Sequence, residues 1–322
     1  MLPSQLRAAI AAELAPFPEK TLARAAAELT SRYKSGRSSG ALGAAADRAA
    51  YIALRLPATY AAVRRVLDEV HARAPRADVR TLLDLGAGPG AALWAAADAF
   101  PSVGFTTLIE RDTELIAAGK RLAAHSPLAP LRNANWIARD LTLPEPLPSA
   151  DLVIVSYALN ELSPRQQAAL IARAWAAARE LLVIVEPGTP PGFANIIAAR
   201  KALLASGAAM VAPCPHGGRC PMETAGDWCH FAARLERTAA HRRLKQAELG
   251  YEDEKFSYVA LSRRPPDPAA ARIVRHPRHH KGHTELLLCA PAGLQREVVT
   301  RSDKQRYRAA RKAEWGDEWS DV

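Results

Sequence analysis

The stretch Leu82-Leu-Asp-Leu-Gly-Ala-Gly-Pro-Gly90 joins an apolar run to an Ala-rich helical pattern. Glycines at 86, 88 and 90 permit a sharp turn and let the backbone approach a ligand where any Cβ would collide. The helix that follows offers unpaired N–H groups at its start, which suit a polar or anionic ligand. In this strand–turn–helix context the pattern predicts a nucleotide-type ligand. Gly86-x-Gly88-x-x-Ala91 also satisfies the dinucleotide fingerprint, and Glu110 lies twenty residues beyond Gly90, where a ribose-binding acid belongs. Asp84 and Asp140 extend the acidic set. Their plainer role is helix capping, which Asp performs well.

The four cysteines stand at 214, 220, 229 and 289. Cys214-x5-Cys220-x8-Cys229 is neither the close-paired zinc knuckle nor the ferredoxin run. Cys289 ends a predicted strand sixty residues later and can return to meet the other three in space. Four thiolates suit tetrahedral zinc or a [4Fe–4S] cluster. Pro213, Pro215 and Pro221 stiffen the loop, and Gly217-Gly218 permits the curvature needed to wrap an ion. In a reducing compartment such a set reads as metal ligands, and no disulfide-linked partner is expected. His216 and His230 are read as bystanders beside it.

No residue compels a catalytic role. Group transfer by in-line displacement needs positioning, plus a base when the nucleophile carries a proton. The fourth predicted strand runs into Ala158-Leu-Asn-Glu161, including Asn160, without the Pro-Pro-aromatic ending that holds a flipped base. Glu161 and Glu186 are the candidate bases. No cysteine precedes Cys214 to act as a nucleophile, and the radical-type C-x3-C-x2-C is missing.

Positioning these residues requires an α/β frame. Residues 4–34 and 42–75 have helical spacing, with the polar break Ser35-Gly-Arg-Ser-Ser-Gly40 between them. Strands are predicted at 79–85, 105–110, 134–139, 151–156 and 181–186, with helices at 91–100, 113–125 and 165–180. This alternation predicts a parallel sheet with right-handed crossovers. The nearly uniform apolar runs of the last two strands predict cover on both faces. Strands at 255–262 and 284–289 are expected to pair and close that sheet. A long insert at about 191–250, with a helix at 194–206, separates them from the fifth strand.

The glycine loop, Asp84, Glu110, Asp140 and a terminal antiparallel pair together resemble class I S-adenosylmethionine-dependent methyltransferases, a Rossmann-like fold with a seven-stranded sheet. That resemblance implies Asp84 near the methionine amino end, Glu110 gripping both ribose hydroxyls and Asp140 at the adenine. Gly86, Gly88, Gly90 and Asn160 complete the expected cofactor site.

A narrower resemblance rests on Asp84-Leu-Gly-Ala-Gly-Pro-Gly90, Ala158-Leu-Asn-Glu-Leu162 and Val185-Glu-Pro-Gly-Thr189. It rests also on Cys214-Pro-His216, Cys220-Pro221, Trp228-Cys-His-Phe231 and Ala310-Arg-Lys-Ala-Glu-Trp-Gly316. Over residues 30–320 these are similar to the methyltransferase-like proteins of mitochondrial small-ribosomal-subunit assembly and their bacterial relatives. The resemblance implies binding to the small subunit or its rRNA during maturation. It also implies a [4Fe–4S] cluster on Cys214, Cys220, Cys229 and Cys289, with zinc as the alternative. The start of the chain reads as neither a secretory signal nor a mitochondrial presequence, so a bacterial, cytoplasmic member is expected.

Composition agrees with a nucleic-acid partner. The 322 residues carry 43 Lys+Arg against 33 Asp+Glu, a net charge of +10, and a pI near 9.7. Six basic residues fall within 301–312, and Arg272, Arg275, Arg278 and Lys281 add to them, interleaved with histidines. Such patches give salt-sensitive phosphate binding, and Trp315 and Trp319 are candidates for stacking on unpaired bases. No apolar run is long enough to span a bilayer. The expected division is a helical region (1–75), a methyltransferase-like domain (76–291) and a basic C-terminal tail (292–322). The expected function is that of an S-adenosylmethionine-binding, methyltransferase-like protein that acts on or binds the small subunit or its rRNA, with methyl transfer itself left open. The alternatives are a non-catalytic RNA-binding assembly factor on the same fold and, ranked last, an NAD-dependent oxidoreductase.

Overall fold

A computed structural model describes residues 2–34, 43–237, 241, 242, 244, 250–267 and 269–320. The polar break at 35–40 lies outside the described residues. Three helices come first: α1 (Ser4–Leu14), α2 (Glu19–Lys34) and α3 (Ala45–Arg73). The alternating region follows with β1 (Thr81–Leu85), α4 (Ala91–Ala99), β2 (Phe105–Glu110), α5 (Thr113–Ala124), α6 (Ala129–Arg132), β3 (Asn135–Ala138), β4 (Ala150–Ser156), α7 (Pro164–Ala177) and β5 (Ala178–Pro187). Then come α8 (Pro190–Ala205), β6 (Ala209–Ala212), α9 (Pro221–Thr224), β7 (Phe231–Glu236) and β8 (Tyr251–Ser262). A second sheet is built from β9 (Ala271–Ile273), β10 (Arg278–His279), β11 (His283–Ala290), β12 (Gly293–Thr300) and β13 (Glu318–Trp319), with a helix at Lys304–Lys312.

The first sheet runs β3-β2-β1-β4-β5-β8-β6, with β7 also paired to β8. Strands β1 to β5 are parallel, and β8 runs antiparallel to β5, β6 and β7. One reversed strand inside an otherwise parallel order is the class I methyltransferase fold. Its apolar runs follow from double cover: Leu152 and Ile154 enter one core, Val153 and Val155 the core on the other face. Local signals set the helix starts. Asp112 accepts the N–H groups of Glu114 and Leu115 at α5, and Ser163 and Gln166 form a capping box at α7.

The expected closing pair is corrected. Residues 251–262 do enter the first sheet, but their edge partners are β6 and β7 from the insert. The strand at 283–290 belongs to the second sheet, between β9, β10 and β12. Both strands have the pattern of half-buried antiparallel pairs, and pattern does not name a partner. Residues 292–322 contribute β12, a helix and β13 to that sheet, so this basic segment is folded through residue 320.

Candidate functional site

Strand order reverses between β1 and β4, and in open α/β sheets ligands bind at such a reversal, beyond the carboxyl ends of the strands. A cleft of about 390 Å³ lies there. Its floor is the glycine loop, its sides are the ends of β2, β3 and β4, and α3 covers it with Tyr51, Arg55, Leu56 and Thr59. The volume falls in the usual range for small-molecule sites.

Gly86, Gly88, Glu110 and Asp140 line this cleft as expected. The glycines at 86, 88 and 90 all have positive φ. A Cβ on Gly86 would meet the Ala158 Cβ at 2.8 Å. Glu110 braces the loop it faces. One carboxylate oxygen accepts the Gly88 N–H at 2.8 Å, and the other accepts those of Arg111 and Asp112 at 2.8 and 2.9 Å. Asp140 accepts the Thr142 N–H at 2.8 Å, and that bond holds its carboxyl below the usual range.

Three expected residues lie elsewhere. Gly90 is the left-handed cap of α4, behind the cleft wall. Asp84 is fully buried with neither carboxylate oxygen hydrogen-bonded. Burial, and then the nearby Glu110, push it up to about 8. Asn160 is exposed on the short turn after β4 and does not line the cleft. The candidate bases are both engaged. Glu161 pairs with Arg111 at 3.1 Å across the cleft mouth. Glu186 is buried, accepting from Leu159 N–H at 3.0 Å and Asn195 at 3.1 Å, and burial raises it to about 7.

Tyr157 was not singled out by the sequence. It sits at φ +55°, a region a tyrosine rarely adopts, at the end of β4 on the cleft wall. Its hydroxyl donates to Glu254 at 3.0 Å, and Glu254 also accepts both Arg55 guanidinium nitrogens at 3.3 and 3.0 Å. This clasp ties α3 to β8 over the cleft. Its one local signal is an aromatic directly after a strand; Arg55 and Glu254 are 199 residues apart.

The cysteines form a second centre. Cys214 follows β6, Cys220 caps α9, Cys229 precedes β7 and Cys289 lies on β11 opposite Arg272 of β9. All four are free thiols. Burial raises Cys214, Cys229 and Cys289, the last to about 12. Neighbouring thiols add to each shift: Cys220 at Cys214, the other three at Cys229, and Cys214 with Cys220 at Cys289. The fold therefore brings the whole set together. His216 joins it, with Nε2 at 3.9 Å from the Cys289 sulfur. Among the described residues, no three of these sulfurs lie within 4.8 Å of one another.

Two buried arginines adjoin the thiols. Arg200, 4% exposed, donates from Nη2 to the carbonyls of His216 and Gly218 at 2.9 and 2.7 Å, while its Nε has no partner. Arg272, 1% exposed, donates to the Pro213 carbonyl at 3.0 Å and pairs with Glu69 at 2.7 Å. This corrects the reading of Arg272 as a phosphate-binding surface cation. Arg275 is likewise paired, with Asp227.

The tryptophans are corrected in part. Trp319 is buried in the second sheet and donates to Glu297 at 3.0 Å, so it presents no face to a base. Trp315 packs edge-on against His230 and His276, and His230 stacks on Trp228. Among the described residues of the C-terminal segment, the exposed cations are Arg296, Arg301, Lys304, Arg308, Arg311 and Lys312.

Residues 45–320 match the family model described as mitochondrial small ribosomal subunit Rsm22. The human mitochondrial ribosome assembly protein METTL17 is 30% identical over 83% of this chain and 61% of its own length. Rsm22-cox11 tandem protein 2, mitochondrial, of Schizosaccharomyces pombe is 28% identical over 83% of this chain and 42% of its length. The chain thus spans less than two thirds of these curated relatives. They are mitochondrial proteins, which overturns the expected bacterial cytoplasmic location. Among solved structures, magnesium protoporphyrin IX methyltransferase from Synechocystis PCC 6803 aligns at 12% identity over 73% of this chain and 94% of that one, with a TM-score of 0.43. An O-methyltransferase family protein from Burkholderia thailandensis aligns at 15% identity over 69% and 61%, with a TM-score of 0.42.

Proposed function

This chain belongs to the Rsm22 family of the mitochondrial small ribosomal subunit, and on that premise we propose that it is an S-adenosylmethionine-binding assembly factor acting on the small subunit or its rRNA. The observation that carries this reading is the cleft at the strand reversal. There Gly86, Gly88, Glu110 and Asp140 meet from three different segments. The glycine loop leaves no room for a Cβ at 86, and acids at the ends of β2 and β3 suit ribose hydroxyls and an adenine amino group. Calorimetry with S-adenosylmethionine and with NAD tests it. Binding of the first alone is expected; tight binding of NAD alone overturns it.

We assign Cys214, Cys220, Cys229 and Cys289 to a [4Fe–4S] cluster. The donor set fits an anionic centre, because four thiolates would stand beside the buried Arg200, which has no carboxylate partner among the described residues. Iron and acid-labile sulfide in anaerobically purified protein are expected; one zinc per chain without sulfide overturns the assignment.

A non-catalytic role for the cleft is the second reading, favoured by the engagement of Glu161 with Arg111 and of Glu186 with Leu159 and Asn195. Transfer of a labelled methyl group to immature small-subunit RNA, lost in Gly88→Arg, decides for catalysis. In either reading the helical region (1–75) covers the cleft, the methyltransferase-like domain (76–291) holds both centres, and the basic C-terminal segment (292–322) faces RNA.

A further inference from the structure

The hairpin formed by β10 and β11 carries two imidazoles and a carboxylate that neither centre uses. The turn closes with the His280 N–H donating to the His283 carbonyl at 2.9 Å, and Gly282 takes φ +101° to allow it. The rings of His280 and His283 stack with centroids 4.5 Å apart and planes 13° from parallel. Both Nε2 atoms face one oxygen of Glu285, at 3.6 and 3.7 Å. Among the described residues this is the only trio of His, Cys, Asp or Glu whose donor atoms all lie within 4.8 Å of one another.

Strand geometry explains the convergence. His283 and Glu285 are two residues apart on β11 and so share a face. Register sets Arg278 opposite Glu285 and His279 opposite Thr284, which leaves His280 at the first turn position, folded over that same face. The three donors are thus held by backbone pairing and a closed turn, which lowers the ordering cost of binding.

We propose that His280, His283 and Glu285 form a surface site for a late first-row divalent cation of the zinc class. Imidazole suits such ions, and a three-ligand set leaves a position open to water or another oxygen donor. Metal–ligand bonds of ~2.0–2.2 Å in a tetrahedron place donor atoms about 3.3–3.6 Å apart, so the two Nε2–Oε1 separations need close by only a few tenths of an ångström, while the stacked rings must turn so that both lone pairs meet at the ion. Arg278 and Lys281, exposed on the same hairpin, oppose a cation and hold the affinity to a moderate level. Glu285, the ligand nearest to Cys289 along β11, lies four residues from it, roughly 13 Å by strand rise, and the site does not share a ligand with the cysteine centre.

Untagged full-length protein, with its cysteine centre as purified, is titrated with Co²⁺ and followed by visible absorption. The expected result is one saturable Co²⁺ per chain with ligand-field bands and no added thiolate-to-metal charge-transfer band. Affinity should fall at least about tenfold in His283→Ala and in Glu285→Gln, with the melting temperature and iron content unchanged. No saturable binding, equal affinity in both variants, or a new thiolate band overturns the proposal.

Discussion

The guanidinium of Arg200 is clamped to the Gly218 carbonyl at 2.7 Å, inside the loop that joins Cys214 to Cys220, with no carboxylate to neutralise it among the described residues. A buried cation without a counter-charge costs several kcal/mol. Four thiolates around the proposed metal centre would supply that charge, and the carbonyl bonds fix the loop that would present two of them.

Replacing Arg200 by Met removes both the charge and the carbonyl clamp. Iron affinity should fall by about tenfold or more, as for other residues that support metal ligands. Arg200→Lys keeps the charge without the fork and should retain an intermediate content. Iron and sulfide per chain check this, with circular dichroism to confirm the fold.

The cleft depends on backbone at Gly86, which has φ +75° and no space for a side chain. Gly86→Val should lower affinity for S-adenosylmethionine by at least about tenfold, the equivalent of 1–3 kcal/mol of local strain. Calorimetry checks it. Unaltered affinity would place the ligand elsewhere.

Asp84 supplies a pH dependence. Its folded pKa of about 8 lies above the ordinary carboxyl value of 3.8, so the native state holds a proton that the unfolded chain releases. Stability contributed by that proton is present below the unfolded value and disappears as pH rises towards 8. Asp84→Asn, neutral throughout, should melt higher than the parent protein, with a gap that widens from pH 5 to pH 8 and then levels. Melting temperatures across that range measure it.

If the C-terminal segment faces RNA as proposed, its exposed cations would make that binding salt-dependent. Lys304→Glu, Arg308→Glu and Arg311→Glu together should weaken binding to small-subunit RNA. Each phosphate left without its neutralising cation should flatten the log–log salt slope by roughly 0.7–0.9. Fluorescence anisotropy at several salt concentrations checks this; an unchanged slope would move the RNA surface to another face.

Much of the cleft was legible in the sequence because its parts are local. A glycine loop between a strand and a helix is written in nine consecutive residues, and Glu110 and Asp140 follow at strand ends. Asn160 misled because the residues after a strand turn within a few positions, and their direction depends on packing. Trp319 and Arg272 misled for a related reason. An aromatic or a cation in a basic, polar stretch reads as surface until a second sheet closes over it.

The sequence by itself determined the α/β alternation, the double cover of the central strands, the glycine loop and the four-cysteine pattern, because each is a short-range periodicity or spacing. Tertiary structure alone decided which strands pair with β8, that Cys289 meets the insert thiols, and that Arg200 lies buried beside them. It also set Glu254 between Tyr157 and Arg55. These are contacts across tens to hundreds of residues, fixed by which apolar faces exclude water together, and chain spacing carries no record of that choice.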